Sequence, residues 1–223
     1  MKCWYKDVCN EVKGSCENSC IRYSEMKYLV DNSGIPLFKQ TPAPLFAGED
    51  HSAYRELANL KSNIVEFVKH GENVYITSKN TGNGKTSWAV KLLMKYFDSV
   101  WAGNGFRVRG IFVYVPQLLL QLKDFNNPLS GEYKQHLLNC DLVVWDDIGS
   151  TELSNYDLSQ MMLYIDQRIM NGKSNVFTGN LNTKDKFSKV LGERLTSRIW
   201  NTSRIIEFVG KDRRNDGSVA NSQ

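Results

Sequence analysis

Five short apolar runs, separated by helical patterns across residues 74–208, constrain this chain more than any other feature. They read V-Y-I-T (74–77), G-I-F-V-Y-V (110–115), L-V-V-W (142–145), N-V-F-T (175–178) and S-R-I-I-E-F (203–208). Near-continuous β-branched and aromatic runs, without strict apolar–polar alternation, belong to strands covered on both faces. Helical periods fill the gaps. One covers 86–97, with Trp88, Val90, Leu92 and Leu93 supplying apolar faces, and two short ones cover 116–123 and 133–139, broken by Asn126-Asn127-Pro128. Others cover 154–170, stopped by Asn171-Gly172, and then 184–190 and 192–200. This alternation predicts an α/β domain with a five-stranded parallel sheet flanked by helices. A further helix is expected over 52–69, where Leu57, Leu60, Ile64, Val65, Phe67 and Val68 keep a helical period and Gly71 stands at the C-cap.

At 223 residues the chain has room for one sizeable domain and a small appendage. No apolar run reaches the roughly 18 residues that span a bilayer, and the N-terminus, M-K-C-W-Y-K-D, lacks the apolar stretch of a signal peptide. A cytoplasmic protein without membrane contact is therefore expected. The net charge is +4, and residues 184–214 hold nine Lys/Arg against four Asp/Glu. Such a patch suits phosphate or nucleic-acid contact, and equally a solvated basic face.

Four of the five cysteines, Cys3, Cys9, Cys16 and Cys20, crowd into the first twenty residues as C-x5-C-x6-C-x3-C. In a cytoplasmic chain this clustering argues for metal before disulfides. Four thiolates could close a tetrahedral zinc site and so fold a segment too short for its own core. An iron–sulfur cluster takes the same ligands, and unligated thiols remain the plain alternative. Residues 1–31 are read as this cysteine-rich module. Residues 32–50, with three prolines and two glycines, are read as a linker, 51–214 as the main domain, and 215–223 as a polar, disordered tail.

The first strand leads into S-K-N-T-G-N-G-K-T, and a helix opens at Lys85-Thr86. A strand, a glycine loop and a helix N-terminus form a phosphate-binding device, in which backbone N–H groups and the helix dipole face an anion. Residues Lys79, Asn80, Thr81, Gly82, Asn83, Gly84, Lys85 and Thr86 would make up the loop. Lys85 would reach the outer phosphates, and Thr86 would offer its hydroxyl to Mg²⁺. The pattern G-x-x-x-x-G-K-[ST] is met except at its first position, where Lys79 replaces glycine. Taken alone, the loop could be an ordinary strand–helix turn.

A second signature supports it. The third strand ends in Asp146-Asp147 about 60 residues later. In a phosphate-loop fold that strand ends beside the phosphates, so Asp146 is assigned to magnesium and Asp147 to the attacking water. Adjacent strand residues point to opposite faces, so both can serve one site only if the strand twists at its end. Asn180, beyond the tip of the fourth strand, could hydrogen-bond the water and the terminal phosphate. Arg194 and Arg198, an i, i+4 pair, could present an arginine finger to a neighbouring subunit's nucleotide, or form a basic surface face.

With these motifs assembled, residues 50–214 resemble the AAA+ ATPases, and within them the bacterial and phage replicative-helicase loaders of the DnaC/DnaI type. The resemblance rests on T-G-N-G-K-T, L-V-V-W-D-D-I-G, T-G-N, G-E-R-L-T-S-R and F-V-G-K-D-R-R. It implies ATP and Mg²⁺ held by Lys85, Thr86, Asp146 and Asp147, with Asn180 as first sensor. It also implies Arg198 as the inter-subunit finger with Arg194 beside it, and Arg213 or Arg214 as second sensor. Residues 116–139, with Lys123, Phe125, Tyr133 and Lys134, would lie near single-stranded DNA. The cysteine cluster is similar to the zinc-bearing, helicase-binding module of some loaders, and its brevity suggests a phage or mobile-element version. The chain ends soon after the second-sensor region, so a reduced lid is implied. The implied activity is ATP-dependent loading of a replicative helicase. A transposition-helper ATPase acting on duplex DNA, or a non-hydrolysing ATP-binding adaptor, are the competing readings.

Overall fold

The computed structural model describes residues 20–40, 48–124 and 128–212. Cys3, Cys9, Cys16, Phe125, Arg213, Arg214 and the tail lie outside the described residues. In chain order the elements are α1 (Ile21–Asp31), α2 (Leu37–Gln40), α3 (His51–Ser62), α4 (Ile64–Lys69), β1 (Asn73–Ser78), α5 (Lys85–Val100), β2 (Gly110–Tyr114), α6 (Val115–Lys123), α7 (Gly131–Asn139), β3 (Leu142–Ile148), α8 (Asn155–Met170), β4 (Ser174–Gly179), α9 (Lys184–Ile199) and β5 (Ser203–Phe208). The five strands form one sheet in the order β2-β3-β4-β1-β5, and every pairing is parallel.

Alternation along each strand sorts its side chains between two cores. Val74, Ile76, Leu142, Val144 and Val176 face a cluster with Leu57, Ile64, Leu92 and Phe97, from helices α3, α4 and α5. Tyr75, Val143, Trp145 and Phe177 face the other way, onto Leu118, Leu137, Ile165 and Phe187 of α6, α7, α8 and α9. The continuous apolar runs follow from this double burial.

Helix α1 lies within the stretch read from the sequence as part of a separate cysteine module. In the structure it packs on the main domain: Met26, Leu29, Val30 and Ile35 join the α3–α5 core. Arg22 pairs with Asp98 of α5 at 2.5 Å and stacks over Trp101. The turn after α1 continues the contact, because the Ser33 carbonyl accepts a hydrogen bond from the Phe112 N–H of β2 at 2.6 Å.

The amino edge of the sheet is organised by a residue that reads as ordinary helix surface. Arg168 of α8 is fully buried and donates to Asn175 Oδ1 (2.8 Å) and to the carbonyls of Leu137 (2.8 Å), Cys140 (2.9 Å) and Ser174 (2.7 Å). Asn175 Oδ1 also accepts from Trp145 Nε1 at 3.0 Å, and Asn175 Nδ2 donates to Asn73 Oδ1 at 2.8 Å. One guanidinium thus ties the end of α7 to strands β3, β4 and β1. Burial lowers its affinity for its proton, against the pull of the neighbouring Cys140 and Asp141.

Candidate functional site

The carboxyl ends of β1, β4 and β3 lie side by side, and β4 is the middle strand. The loop leaves β1, the acidic pair ends β3, and Asn180 follows β4 between them. Neighbouring strands are about 4.8 Å apart, so all three features meet within roughly 10 Å.

The loop turns through two left-handed glycines, Gly82 (φ 69°) and Gly84 (φ 97°), and Gly84 caps α5. Lys79 is exposed and does not have a positive φ. Its backbone therefore makes no demand that only glycine can meet, which explains how a lysine stands at the first loop position. Lys85 is buried and folds back into the loop, donating to Ser78 Oγ (2.6 Å), the Asn80 carbonyl (3.1 Å) and Asn83 Oδ1 (3.1 Å). Its ammonium is thus held at the loop's centre by neutral oxygens, the environment that favours exchange for phosphate oxygens.

Strand alternation puts Asp146 on the same face as Leu142 and Val144, toward α5. That is the face from which Thr86 rises, and the Thr86 hydroxyl is within hydrogen-bonding reach of the Asp146 carboxylate. Burial raises the Asp146 carboxyl above its ordinary value, opposed by hydrogen bonds from Thr178 and Thr86 and by the positive charge of Lys39 on α2. A carboxylate and a hydroxyl converging from facing elements form a hard-oxygen pair suited to Mg²⁺. Loop amides and Lys85 suit a polyphosphate, so the residues present fit both groups.

The twist required for Asp147 takes the form of a bulge. Trp145 pairs with Phe177 and Ile148 with Gly179, so Asp146 and Asp147 together face the single residue Thr178. The extra residue moves Ile148 onto the face shared with Trp145. Asp147 itself takes a left-handed conformation, φ 64°, which costs a non-glycine residue about 1–3 kcal/mol and is held only by its surroundings. The holding contacts are the Asp147 N–H to Thr178 Oγ1 (3.0 Å) and Ser150 Oγ to the Asp147 carbonyl (3.0 Å). Asn180 completes the row: its Oδ1 is buried and has no hydrogen-bond partner within the described residues, an acceptor left for a ligand or water.

The segment leaving β5 lies against the loop. Asn80 Nδ2 donates to the Gly210 carbonyl at 3.1 Å, and Asp50 Oδ1 accepts from the Val209 and Gly210 N–H groups at 2.7 and 2.8 Å. Thr81 Oγ1 meets Asp212 Oδ2 at 3.3 Å. A Cβ on Gly82 would fall 1.7 Å from Asp212 Oδ1, so any larger residue there would push that carboxylate aside. An acidic group therefore rests on the rim of a loop built for anions.

Other expected site residues are placed elsewhere. Arg198 pairs with Asp166 of α8 at 2.5 Å, and Arg194 is exposed. The Thr202 hydroxyl donates to the Arg198 carbonyl and accepts from Asn73 Nδ2, which puts Arg198 at the amino edge of β1. Strand β1 has six residues, so that edge is roughly 17 Å from the loop, too far for Arg198 to reach its own nucleotide site. The helix carrying both arginines is interrupted at Gly192 (φ 75°, ψ 162°), which keeps the two predicted segments distinct. In the segment expected near single-stranded DNA, Lys123 pairs with Asp157 at 2.7 Å. Tyr133 packs against the α6–α9 core, and burial pushes its hydroxyl up to about 12. Its ring is partly buried against that core. Cys20 is exposed and forms no disulfide among the described residues. Among the described residues no cluster of His, Cys, Asp or Glu could hold a metal ion, and no helix is long and apolar enough to cross a membrane.

Thr178, Lys39, Asp50 and Asp212 were not singled out by sequence. Thr178 reads as the last residue of a strand and Lys39 as part of a linker. The pairing of β3 with β4 brings Thr178 to the site, the return of the chain after β5 brings Asp50 and Asp212 together there, and the packing of α2 on α5 brings Lys39.

A five-stranded parallel sheet with a glycine loop, an acidic strand end and a polar tip between them defines an AAA+-type phosphate-loop domain. The chain belongs to the IstB-like ATP-binding proteins, whose family model matches residues 35–215. No curated protein matches it. Among solved structures it is similar to the DnaC helicase loader, at 24% identity over 70% of this chain and 89% of that one, with a TM-score of 0.60. It is also similar to DnaI, at 19% identity over 70% and 84% of the two chains, with a TM-score of 0.56. The replication initiator DnaA, bound to AMPPCP and single-stranded DNA, matches at 14% identity over 82% of this chain and 50% of that one, with a TM-score of 0.56. These likenesses establish the shared fold.

Proposed function

We propose that the protein is an ATPase that loads a replicative DNA helicase onto single-stranded DNA in the cytoplasm of a bacterial or phage-infected cell. What supports the reading most is the fold shared with two helicase loaders over 89% and 84% of their lengths. In this reading the loop of residues 79–86 and Lys85 hold the phosphates of ATP, and Thr86 and Asp146 hold Mg²⁺. Asp147 and Asn180 orient the attacking water. Bound Mg²⁺ supplies Lewis-acid stabilisation of charge on the phosphoryl oxygens. Arg198, too remote for its own site, serves the next subunit's nucleotide with Arg194 beside it, so that ATP promotes assembly and hydrolysis releases the helicase. Arg213 is the second sensor. Cys3, Cys9, Cys16 and Cys20 bind structural zinc in a module that grips the helicase. Elemental analysis tests this last assignment, and less than about half an equivalent of zinc per chain counts against it.

The family match favours a second reading, a transposition helper. Affinity capture with replicative helicase and with transposase separates the two, and retention of the transposase alone rejects the loader. ATP turnover with and without single-stranded DNA separates both from a non-hydrolysing adaptor. Lys85→Ala is expected to abolish nucleotide binding, whereas Arg198→Ala keeps binding and loses turnover. Equal affinity of wild type and Lys85→Ala for ATP rejects the site assignment.

A further inference from the structure

We propose that Thr178 is the positioning residue of the acidic pair, setting the orientation of Asp146 toward Mg²⁺ and of Asp147 toward water. The inference rests on the reading of this site as one that binds Mg²⁺ and ATP. It adds a residue to which neither the motifs nor the resemblance gives a role.

The argument starts from the bulge. Two residues of β3 face one of β4, and a bulge leaves its extra residue without a ladder partner. The side chain at the single opposing position is therefore the nearest group able to compensate. Thr178 is 2% exposed, and its hydroxyl, one donor with two acceptor lone pairs, is used in both senses. It donates to Asp146 Oδ1 at 2.7 Å and accepts from the Asp147 N–H at 3.0 Å.

Each bond has a distinct consequence. The first holds one Asp146 oxygen and fixes the carboxylate plane, which leaves the other oxygen free to face Thr86 and the metal. The second keeps the Asp147 backbone in its left-handed conformation. Regular strand geometry would turn the Asp147 side chain toward α8 and α9, away from the loop. A single hydroxyl thus couples the orientations of two carboxylates assigned different tasks. Its burial and the commitment of its hydroxyl to Asp146 and Asp147 make it a support for these groups and not a ligand of the nucleotide.

The test compares Thr178→Val, which keeps the branched shape and loses the hydroxyl, with Thr178→Ser, which keeps the hydroxyl. Two quantities are read: the Mg²⁺ concentration that half-saturates Mg²⁺-dependent ATP binding, and kcat against KM for ATP hydrolysis. Thr178→Val is expected to bind ATP at saturating Mg²⁺ within about threefold of wild type, because the loop and Lys85 are untouched. Its Mg²⁺ requirement should rise at least fivefold and its kcat fall at least tenfold. Thr178→Ser should restore both within about twofold. Thr178→Ala replaces the valine variant should that one fail to fold, as judged by circular dichroism.

A hydroxyl-free variant with wild-type Mg²⁺ requirement and kcat overturns the proposal. So does a serine variant as defective as valine, which would assign the effect to the lost methyl group. If wild type shows no turnover, the ATPase reading fails, and the Mg²⁺ titration alone decides the role of Thr178. If Lys85→Ala binds ATP like wild type, the nucleotide site itself is misassigned and the proposal falls with it.

Discussion

Replacing Arg168 by methionine tests how the sheet's amino edge is held. Methionine keeps an unbranched apolar stem and removes only the guanidinium, so the perturbation is close to pure loss of hydrogen bonds. Four bonds of 2.7–2.9 Å disappear, three of them to the carbonyls of Leu137, Cys140 and Ser174. Asn175 Oδ1 keeps its second donor, Trp145 Nε1, and is not orphaned. A buried acceptor left without a partner costs about 1–3 kcal/mol. The Ser174 carbonyl keeps its ladder bond to β3, so two such carbonyls, those of Leu137 and Cys140, at about 1.5 kcal/mol each give about 3 kcal/mol. The variant also escapes the cost of burying a cation, which keeps the expected loss to about 2–4 kcal/mol. For a chain of this size each kcal/mol moves the melting temperature by about 2–4 °C, so a decrease of about 4–16 °C is expected. Thermal and urea unfolding followed by circular dichroism provide the measurement. A variant within about 1 °C of wild type would refute the view that Arg168 is the structural hub of this edge.

Two further outcomes follow from contacts around the site. Removing the acidic group from the loop rim with Asp212→Ala should tighten ATP binding about threefold to tenfold at low salt, with the gain shrinking as ionic strength rises; unchanged or weaker binding at every salt concentration argues against a barrier there. Burial works to raise the Asp157 carboxyl, but its bonds to Lys123 and Ser154 prevail and hold it below its ordinary 3.8. Its contribution to stability is therefore complete above that value and is lost as pH falls through the lower folded value. Stability measured between pH 5 and pH 2 should thus fall less steeply in Asp157→Asn than in wild type, and parallel curves would contradict the assignment.

Much of this architecture was legible because local patterns dictated it. Runs rich in β-branched and aromatic residues can hardly be anything but strands buried on both faces, and all five are found close to where their composition puts them. The loop was legible because glycines at 82 and 84 followed by Lys85-Thr86 carry their own geometry. What was hidden depends on partners distant in sequence. The bulge at Asp146-Asp147 exists only as a mismatch with β4, so no reading of β3 alone could locate it or identify Thr178. Arg168 was overlooked because arginine in an amphipathic helix reads as surface. Its burial becomes visible only when the end of α7 and the start of β4 converge on it. Arg198 was recognised as a candidate finger, but its pairing with Asp166 depends on how α8 and α9 pack.

The contact between the Ser33 carbonyl and the Phe112 N–H has a consequence for dissecting the protein. Strand β2 is the outermost of its side of the sheet, and an outer strand presents unpaired backbone groups that can recruit a foreign chain. The turn after α1 shields part of that rim, with Gly34 so close that a Cβ there would lie 2.9 Å from the Phe112 carbonyl oxygen. A fragment cut to begin at residue 51 would keep the whole sheet and the phosphate loop yet lose this guard, together with the apolar face of α1. It would present bare strand edge and greasy surface side by side, an invitation to aggregate. A fragment beginning at Cys20 retains both covers and is the smaller piece to purify as an independent body.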